Sequence, residues 1–257
     1  MAGPEVHPAA ALGFASNAAD YERTRPGYPA AAVDHLVTVH GLVRGTEVLD
    51  VAAGTGKLTR LLLATGAAVV AVEPVAEMRA MLAATSPGAV VLDGTAEALP
   101  LPDGAVDAVT VAQAFHWFDG PRALAELARV LRPGRALSVV YNHRDRDAAW
   151  LAEVNRLVEL HRHGTPQQWT GAWRAAFGGD GPFGPLDEVA FDNPQTLTVD
   201  DFLGRIRSMS YVGALAADEQ ADLLAAVGRV LATHPATAGR REVVIGQRTV
   251  VSTCRRR

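Results

Sequence analysis

The sequence predicts an α/β protein built on a doubly wound, mostly parallel sheet, and three observations carry that reading. The apolar run Glu47-Val-Leu-Asp-Val51 passes through the turn Ala52-Ala-Gly-Thr-Gly-Lys57 into a leucine-rich segment, the order of a buried strand, a tight turn and a helix. Two further short runs rich in β-branched residues, 67–73 and 89–93, also end in an acid, with room for one helix between successive runs. Past residue 184 the chain returns to short apolar runs that can complete the same sheet.

In the first strand Val48, Leu49 and Val51 have buried character, and Gly54 and Gly56 let the backbone turn tightly and approach a ligand without interference from a Cβ. The helix that follows carries Leu58, Leu61, Leu62 and Leu63. The second strand, 67–73, ends in Glu73, 23 residues after Asp50, where a carboxylate can accept hydrogen bonds from both hydroxyls of a ribose; a solvated strand end is the plainer role. Pro74 and Val75 lead into a helix through Met78, Met81 and Leu82, whose first apolar side chains suit an adenine face. The third strand is 89–93. After it, the turn Leu99-Pro-Leu-Pro-Asp-Gly104 reads as loop architecture and leads to the fourth strand, 108–112. Residues 121–131 form an amphipathic helix with Leu124, Leu127, Val130 and Leu131 on one face, stopped by Arg132-Pro-Gly134 ahead of a fifth strand, 136–141.

The rhythm breaks at residue 142. A helix with Trp150, Leu151, Val154, Leu157 and Leu160 precedes a Gly/Pro/Gln-containing loop with Trp169, Trp173 and Phe177, a pattern expected of an inserted cap. A sixth strand at 186–191, helices at 199–209 and 217–233, and a last strand at 249–253 bring the sheet to seven strands. The expected organisation is therefore a core of 1–141 and 185–257, with an N-terminal lid, and a cap of 142–184.

At 257 residues the chain can bury a full core without cross-links, and its single cysteine, Cys254, excludes a disulfide framework and points to a reducing, cytoplasmic setting. No apolar run reaches the roughly 18–20 residues that span a bilayer, and the N-terminus lacks the pattern of a secretory leader. A net charge of −4 with dispersed arginines leaves no footprint for nucleic acid. His161 and His163 point to different helix faces with no cysteine or carboxylate set beside them, so no metal is expected.

The glycine turn narrows the cofactor. A P-loop needs Gly-x-x-x-x-Gly-Lys-Ser/Thr, but Val51 stands at its first glycine and Leu58 follows Lys57. The dinucleotide fingerprint retains two of three glycines, because Thr59 stands at the third, and so a nicotinamide oxidoreductase stays open as a third reading. Asp50-Val-Ala-Ala-Gly-Thr-Gly-Lys57 better resembles the first motif of class I S-adenosylmethionine-dependent methyltransferases, with Ala52 at the usual first glycine. The passage from Gly94-Thr-Ala-Glu97 to Asp107 resembles the Gly-x-Ala-Glu-x-Leu-Pro signature of small-molecule methyltransferases, with Thr95 where an Asp is usual. The stretch from Phe14 through Tyr21 to Arg25-Pro-Gly-Tyr-Pro29, together with Ala114-Phe-His-Trp-Phe118 and Tyr141-Asn-His-Arg-Asp145, is similar to the group that includes the trans-aconitate methyltransferase-like proteins.

That resemblance, over roughly residues 14–147, implies a Rossmann-like methyltransferase sheet and the cofactor S-adenosyl-L-methionine. It places Tyr21, Arg25, Asp50, Ala52, Gly54, Gly56, Glu73, Pro74, Met78, Gly94, Thr95, Ala96, Glu97, Gln113 and Phe115 around that cofactor. Tyr21 and Arg25 would reach the methionine carboxylate from the lid, a charge-assisted contact, although Arg25 also suits an ordinary surface position. Methyl transfer from a sulfonium is an in-line displacement dominated by positioning, and a base is needed only for an acceptor that must lose a proton. His116, at the carboxyl edge of the sheet, is the candidate base, with an orienting or packing role as the equal alternative. Trp117, Asn142, Arg144, Trp169, Trp173 and Tyr211 are, with His116, the expected acceptor contacts, or else plain cap packing. The expected partner is a small organic methyl acceptor taking the group on oxygen, nitrogen or carbon. A protein that binds the cofactor without methylating, or serves as an accessory subunit, is the second reading; the oligomeric state has no signature.

Overall fold

The computed structural model describes residues 18–146, 148–162 and 164–257, so Phe14 and His163 lie outside the described residues. Helices α1 (Ala18–Thr24) and α2 (Ala30–His40) lead into β1 (Glu47–Val51), α3 (Lys57–Ala64), β2 (Ala68–Val72), α4 (Ala76–Thr85) and β3 (Val90–Leu92). Then come β4 (Val106–Ala112), α5 (Gly120–Val130) and β5 (Leu131–Arg144). After α6 (Ala149–Glu159) and two 3₁₀ turns, the chain forms β6 (Asp187–Asp192), β7 (Gln195–Thr198), α7 (Val199–Arg207), α8 (Ser210–Gly213), α9 (Ala217–Thr233), β8 (Glu242–Ile245) and β9 (Gln247–Arg255).

Seven strands make one sheet in the order β3-β2-β1-β4-β5-β9-β6. The pairs from β3 to β5 are parallel, while β9 runs antiparallel to both of its neighbours. This is the doubly wound, mostly parallel seven-stranded sheet that the alternating pattern predicts. The chain order reverses between β1 and β4, the switch point where open α/β sheets leave a crevice at their carboxyl edge. Both central strands are buried on both faces: Val48, Leu49, Val51, Val106, Val109 and Val111 are almost wholly covered. Helix α5 is set by Asp119, whose side chain caps Arg122 N, and by Pro121 in the first turn. Its Leu124 and Leu127 pack into the main core, each contributing about 1.5–3 kcal/mol by burial.

The cap differs from its expected bounds of 142–184. Its core joins Trp150, Leu151 and Val154 of α6 to Phe202 and Ile206 of α7, Val227 and Leu231 of α9, and Leu197 and Ile245 of the β7–β8 pair. The α6 stripe needs a second apolar layer, and helices of the segment expected to belong to the main core supply it. The loop with Trp173 and Phe177 packs instead against the main core. Helix α1 bridges the two bodies. Glu22 accepts from Thr55 Oγ1 and pairs with Arg60 at 2.6 Å on one side, while Asp20 pairs with Arg207 at 2.7 Å and Arg23 with Asp201 on the other. Among the described residues no helix is long and apolar enough to cross a membrane.

Candidate active site

Two cavities open at the carboxyl ends of β1 and β4 and share Tyr21, Ala52, Gly54, Ala112, Gln113 and Trp117. Ala52 and Gln113, which follow those strands, adopt left-handed backbone angles, φ +53° and +60°. Non-glycine residues take this conformation only where their surroundings hold them to it, and such strain gathers at functional sites.

The first cavity is lined additionally by Glu73, Pro74, Val75, Met78, Gly94, Thr95, Ala96, Glu97, Ala114 and Phe118. Glu73 organises it: Oε2 accepts from Gly54 N at 2.8 Å and Oε1 from Val75 N at 2.9 Å, tying the glycine turn to the start of α4. Burial raises the Glu73 carboxyl to about 7 against the pull of those two hydrogen bonds. Glu97 accepts from Asp119 N at 3.0 Å. Thr95 Oγ1 is buried with no partner among the described residues, an arrangement a protein rarely leaves unless something else supplies one, while the Gln113 side chain meets the Tyr28 phenol.

Three residues expected around the cofactor lie behind this wall. Asp50 is fully buried and accepts from Thr59 Oγ1 at 2.7 Å and Thr110 Oγ1 at 2.9 Å, with its carboxyl raised by burial to about 6; it braces β1 against α3 and β4. Gly56, at φ +88°, caps α3, and a Cβ there would lie 2.5 Å from Ser86 Oγ and 2.8 Å from Leu82 Cδ1, so it is glycine for packing. Phe115 stacks within the core, its ring centroid 5.0 Å from that of Phe177, 5.4 Å from Phe118 and 5.8 Å from Trp173. Trp173, expected at the acceptor, belongs to this same buried cluster and lines neither cavity.

The second cavity receives Arg25, Lys57, Arg144, Arg146, Arg162 and Arg205, while no carboxylate lines it among the described residues. Arg25 binds Ser208 through Nε at 2.9 Å and Nη2 at 3.1 Å, below the ring of Tyr21. Arg205 reaches the amide oxygens of Gln195 and Gln247. Neither these two nor Arg144 forms an ion pair among the described residues, and Arg144 Nη1 and Arg205 Nε are buried without partners. Burial lowers all three below the ordinary arginine range, Arg144 to about 10, and repulsion from neighbouring arginines adds to this at Arg144 and Arg205. Trp169 lies between Arg146 and Arg162, 4.5 and 4.0 Å from its ring centroid, and Tyr211 donates to Met209 Sδ while accepting from Arg162 at 3.1 Å. Asn142 lines the cavity, but its amide is engaged with Gly27 O, Thr249 Oγ1 and Asn193.

His116 faces the second cavity and Trp117 both. The His116 backbone N–H donates to Tyr141 Oη at 2.9 Å, and its Nδ1 lies 3.0 Å from the same oxygen. Burial, with Arg162 nearby, lowers His116 to about 3, so the imidazole is neutral. Sequence reasoning missed Tyr28, Arg162 and Arg205. Only Arg205 left a signal, a charge beside the apolar Phe202 and Ile206 of its helix. No group of three or more histidine, cysteine or acidic side chains is arranged to hold a metal among the described residues.

A family model described as a methyltransferase domain matches residues 49–139, which hold most of the first cavity. The chain is 41% identical to an uncharacterized methyltransferase of Mycobacterium bovis over 88% of each chain. It is 33% identical to an uncharacterized methyltransferase-like protein of Schizosaccharomyces pombe over 86% of this chain and 87% of that one. Among solved structures, one assigned as a type II methyltransferase of Anaeromyxobacter dehalogenans superposes with a TM-score of 0.64 at 26% identity, covering 90% of this chain and 97% of that one.

Proposed function

The chain belongs to the methyltransferase family, and from that premise we propose that it transfers the methyl group of S-adenosylmethionine to a small anionic organic acceptor. The observation that carries the proposal is the pairing of an acid-bearing crevice at the sheet's switch point with an adjoining arginine-rich cavity across Ala52, Gln113 and Trp117.

The residues of the first cavity fit the cofactor. Glu73 offers a carboxylate to the ribose hydroxyls, Val75 and Met78 an apolar wall to the adenine, and Thr95 Oγ1 an unpartnered group to its polar edge. Gln113 Nε2 and Arg25 stand where the cofactor's methionine end would meet the shared mouth. The cofactor, when bound, supplies a methyl carbon already activated by the adjacent sulfonium.

The chain's own residues then position and desolvate. Buried arginines lacking carboxylate partners are costly unless an anion joins them, so Arg144 and Arg205 favour a negatively charged acceptor. Trp117, which lines both cavities, would exclude water from the path between them, and correct placement of reacting atoms is worth about 7–11 kcal/mol in the best cases.

Calorimetric titration with S-adenosylhomocysteine beside NAD is the first test. Saturable binding of the former alone supports the cofactor assignment, whereas NAD binding alone, or neither, overturns it. With an acid panel and S-adenosylmethionine, production of S-adenosylhomocysteine supports transfer, and cofactor recovered unchanged from every member argues for a binding protein without methylation.

A further inference from the structure

We infer that His116 is held by Tyr141 in the neutral tautomer with its proton on Nε2, so that it donates a hydrogen bond into the acceptor cavity and is not a base. The inference rests on the methyl-transfer reading for its consequence, but its geometry stands alone.

Tyr141 Oη is deep in the core, with its ring covered by Trp173 and flanked by His143. It has one proton and two acceptor sites. The backbone N–H of His116 takes one acceptor site at 2.9 Å, which leaves Oη and His116 Nδ1, 3.0 Å apart, to share a single proton. If Nδ1 carried that proton, Oη would accept twice and its own O–H would point at nothing, since no other acceptor for it occurs among the described contacts. An unsatisfied buried hydroxyl is the costly outcome. If the O–H donates to Nδ1, every group is satisfied, and the ring's remaining hydrogen belongs on Nε2. Burial pushes the Tyr141 phenol up, so it keeps its proton, and the same burial with Arg162 keeps the imidazole neutral. Nε2 makes no hydrogen bond to the protein among the described residues, while His116 lines the arginine-rich cavity.

The other titratable groups lining this cavity are the six cations named above, the phenols of Tyr21, Tyr28 and Tyr211, and His143, whose imidazole burial pushes toward its neutral form. No carboxylate lines the cavity among the described residues to draw a proton from the acceptor, and its cations favour an acceptor that is already ionised. The nucleophile should therefore arrive as an oxyanion. Its lone pair forms the new bond to the methyl carbon while the sulfur–methyl pair returns to sulfur, cancelling one negative and one positive charge with no proton to place. His116 Nε2–H would orient that oxyanion, as a donor aimed at charge in a dry site.

The test is ¹⁵N NMR of the full chain labelled at histidine, with and without S-adenosylhomocysteine, His116 being identified by the signal lost in His116→Gln. A proton-bearing Nε2 and a bare Nδ1, unchanged from pH 5 to pH 8, is the expected result. A protonated Nδ1, or an imidazolium above pH 5, overturns the inference even if the cofactor binds. In Tyr141→Phe the Nε2–H preference should relax toward a mixture, and an unmoved tautomer would remove Tyr141 as the positioning residue. Matched carboxylic acids and primary alcohols offered with S-adenosylmethionine separate the consequence: acids alone should turn over, and an alcohol methylated as fast as its acid would overturn it. Absence of S-adenosylhomocysteine binding would instead strike the functional assignment and leave the tautomer result standing.

Discussion

The two cavities share a rim but are made in different ways. The first is built almost wholly from residues 52–118, where each strand end delivers a backbone turn and one or two side chains in chain order. The second gathers Arg25 and Tyr28, the end of β5, the loop at 162–169 and α7–α8, segments that meet only after the cap has packed. The first is therefore a property of the sheet, while the second is a property of how α1 and the cap close on it. The contrast in charge follows: one acid at a strand end with its oxygens on backbone amides, against three arginines that form no ion pair among the described residues. A cofactor site can be kept constant on such a scaffold while the acceptor site is rebuilt from remote segments.

The sharpest way to separate the two is Glu73→Ala. It removes both the ribose acceptor and the clamp on Gly54 and Val75, and affinity for S-adenosylhomocysteine should fall about 10²-fold by calorimetry, since hydrogen bonds to a charged group are worth about 1.5–3 kcal/mol each. Unchanged affinity would show that the acid serves only the loop. Next in size, Arg144→Met should leave that affinity within about twofold yet raise the melting temperature of the ligand-free protein by about 2–4 °C, because an unpaired buried charge is replaced by an apolar chain of similar length. A lower melting temperature would mean that the guanidinium is satisfied without ligand.

The pH dependence should also sort by cavity. Burial raises Glu73 to about 7, and ribose hydroxyls favour the ionised form, so binding must expel a proton below that value. Affinity for S-adenosylhomocysteine should thus rise about tenfold from pH 6 to pH 8 and level off above, with proton release visible when buffers of different ionisation heat are compared. A flat profile would mean the free carboxyl is already ionised at pH 6. The smallest effect is Thr95→Val, which should weaken the cofactor by about threefold without loss of stability, as the buried hydroxyl has no protein partner to lose. A drop in stability would reveal an internal partner for Oγ1.

The sequence made the first cavity legible because strand periodicity, the glycine turn and the acid of Glu73 are local signals, each confined to a few neighbouring residues. Asp50, Gly56 and Phe115 belong to the same turns yet line neither cavity, and spacing along the chain does not tell a residue that lines a turn from one that supports it. Helix α9 was read with its observed ends, 217–233, whereas its place in the cap was not, since an amphipathic stripe says that a partner exists and not which one. Arg162 has no local mark at all. Its position between Trp169 and Tyr211 exists only in the folded molecule.

The position of β9 has a consequence for how the molecule is assembled. This strand, residues 247–255, lies between β5 and β6, so the β6 strand has no place in the sheet until β9 has formed. During synthesis the first five strands can pair as they emerge, leaving the β5 edge open while about 100 further residues are made, and such an edge invites pairing with another chain. The last step of folding is then a zipper closed from both sides, with high sequence separation on the β5 face and a correspondingly slow approach. Expression yield should accordingly depend on protecting that open edge more than on the stability of the finished protein.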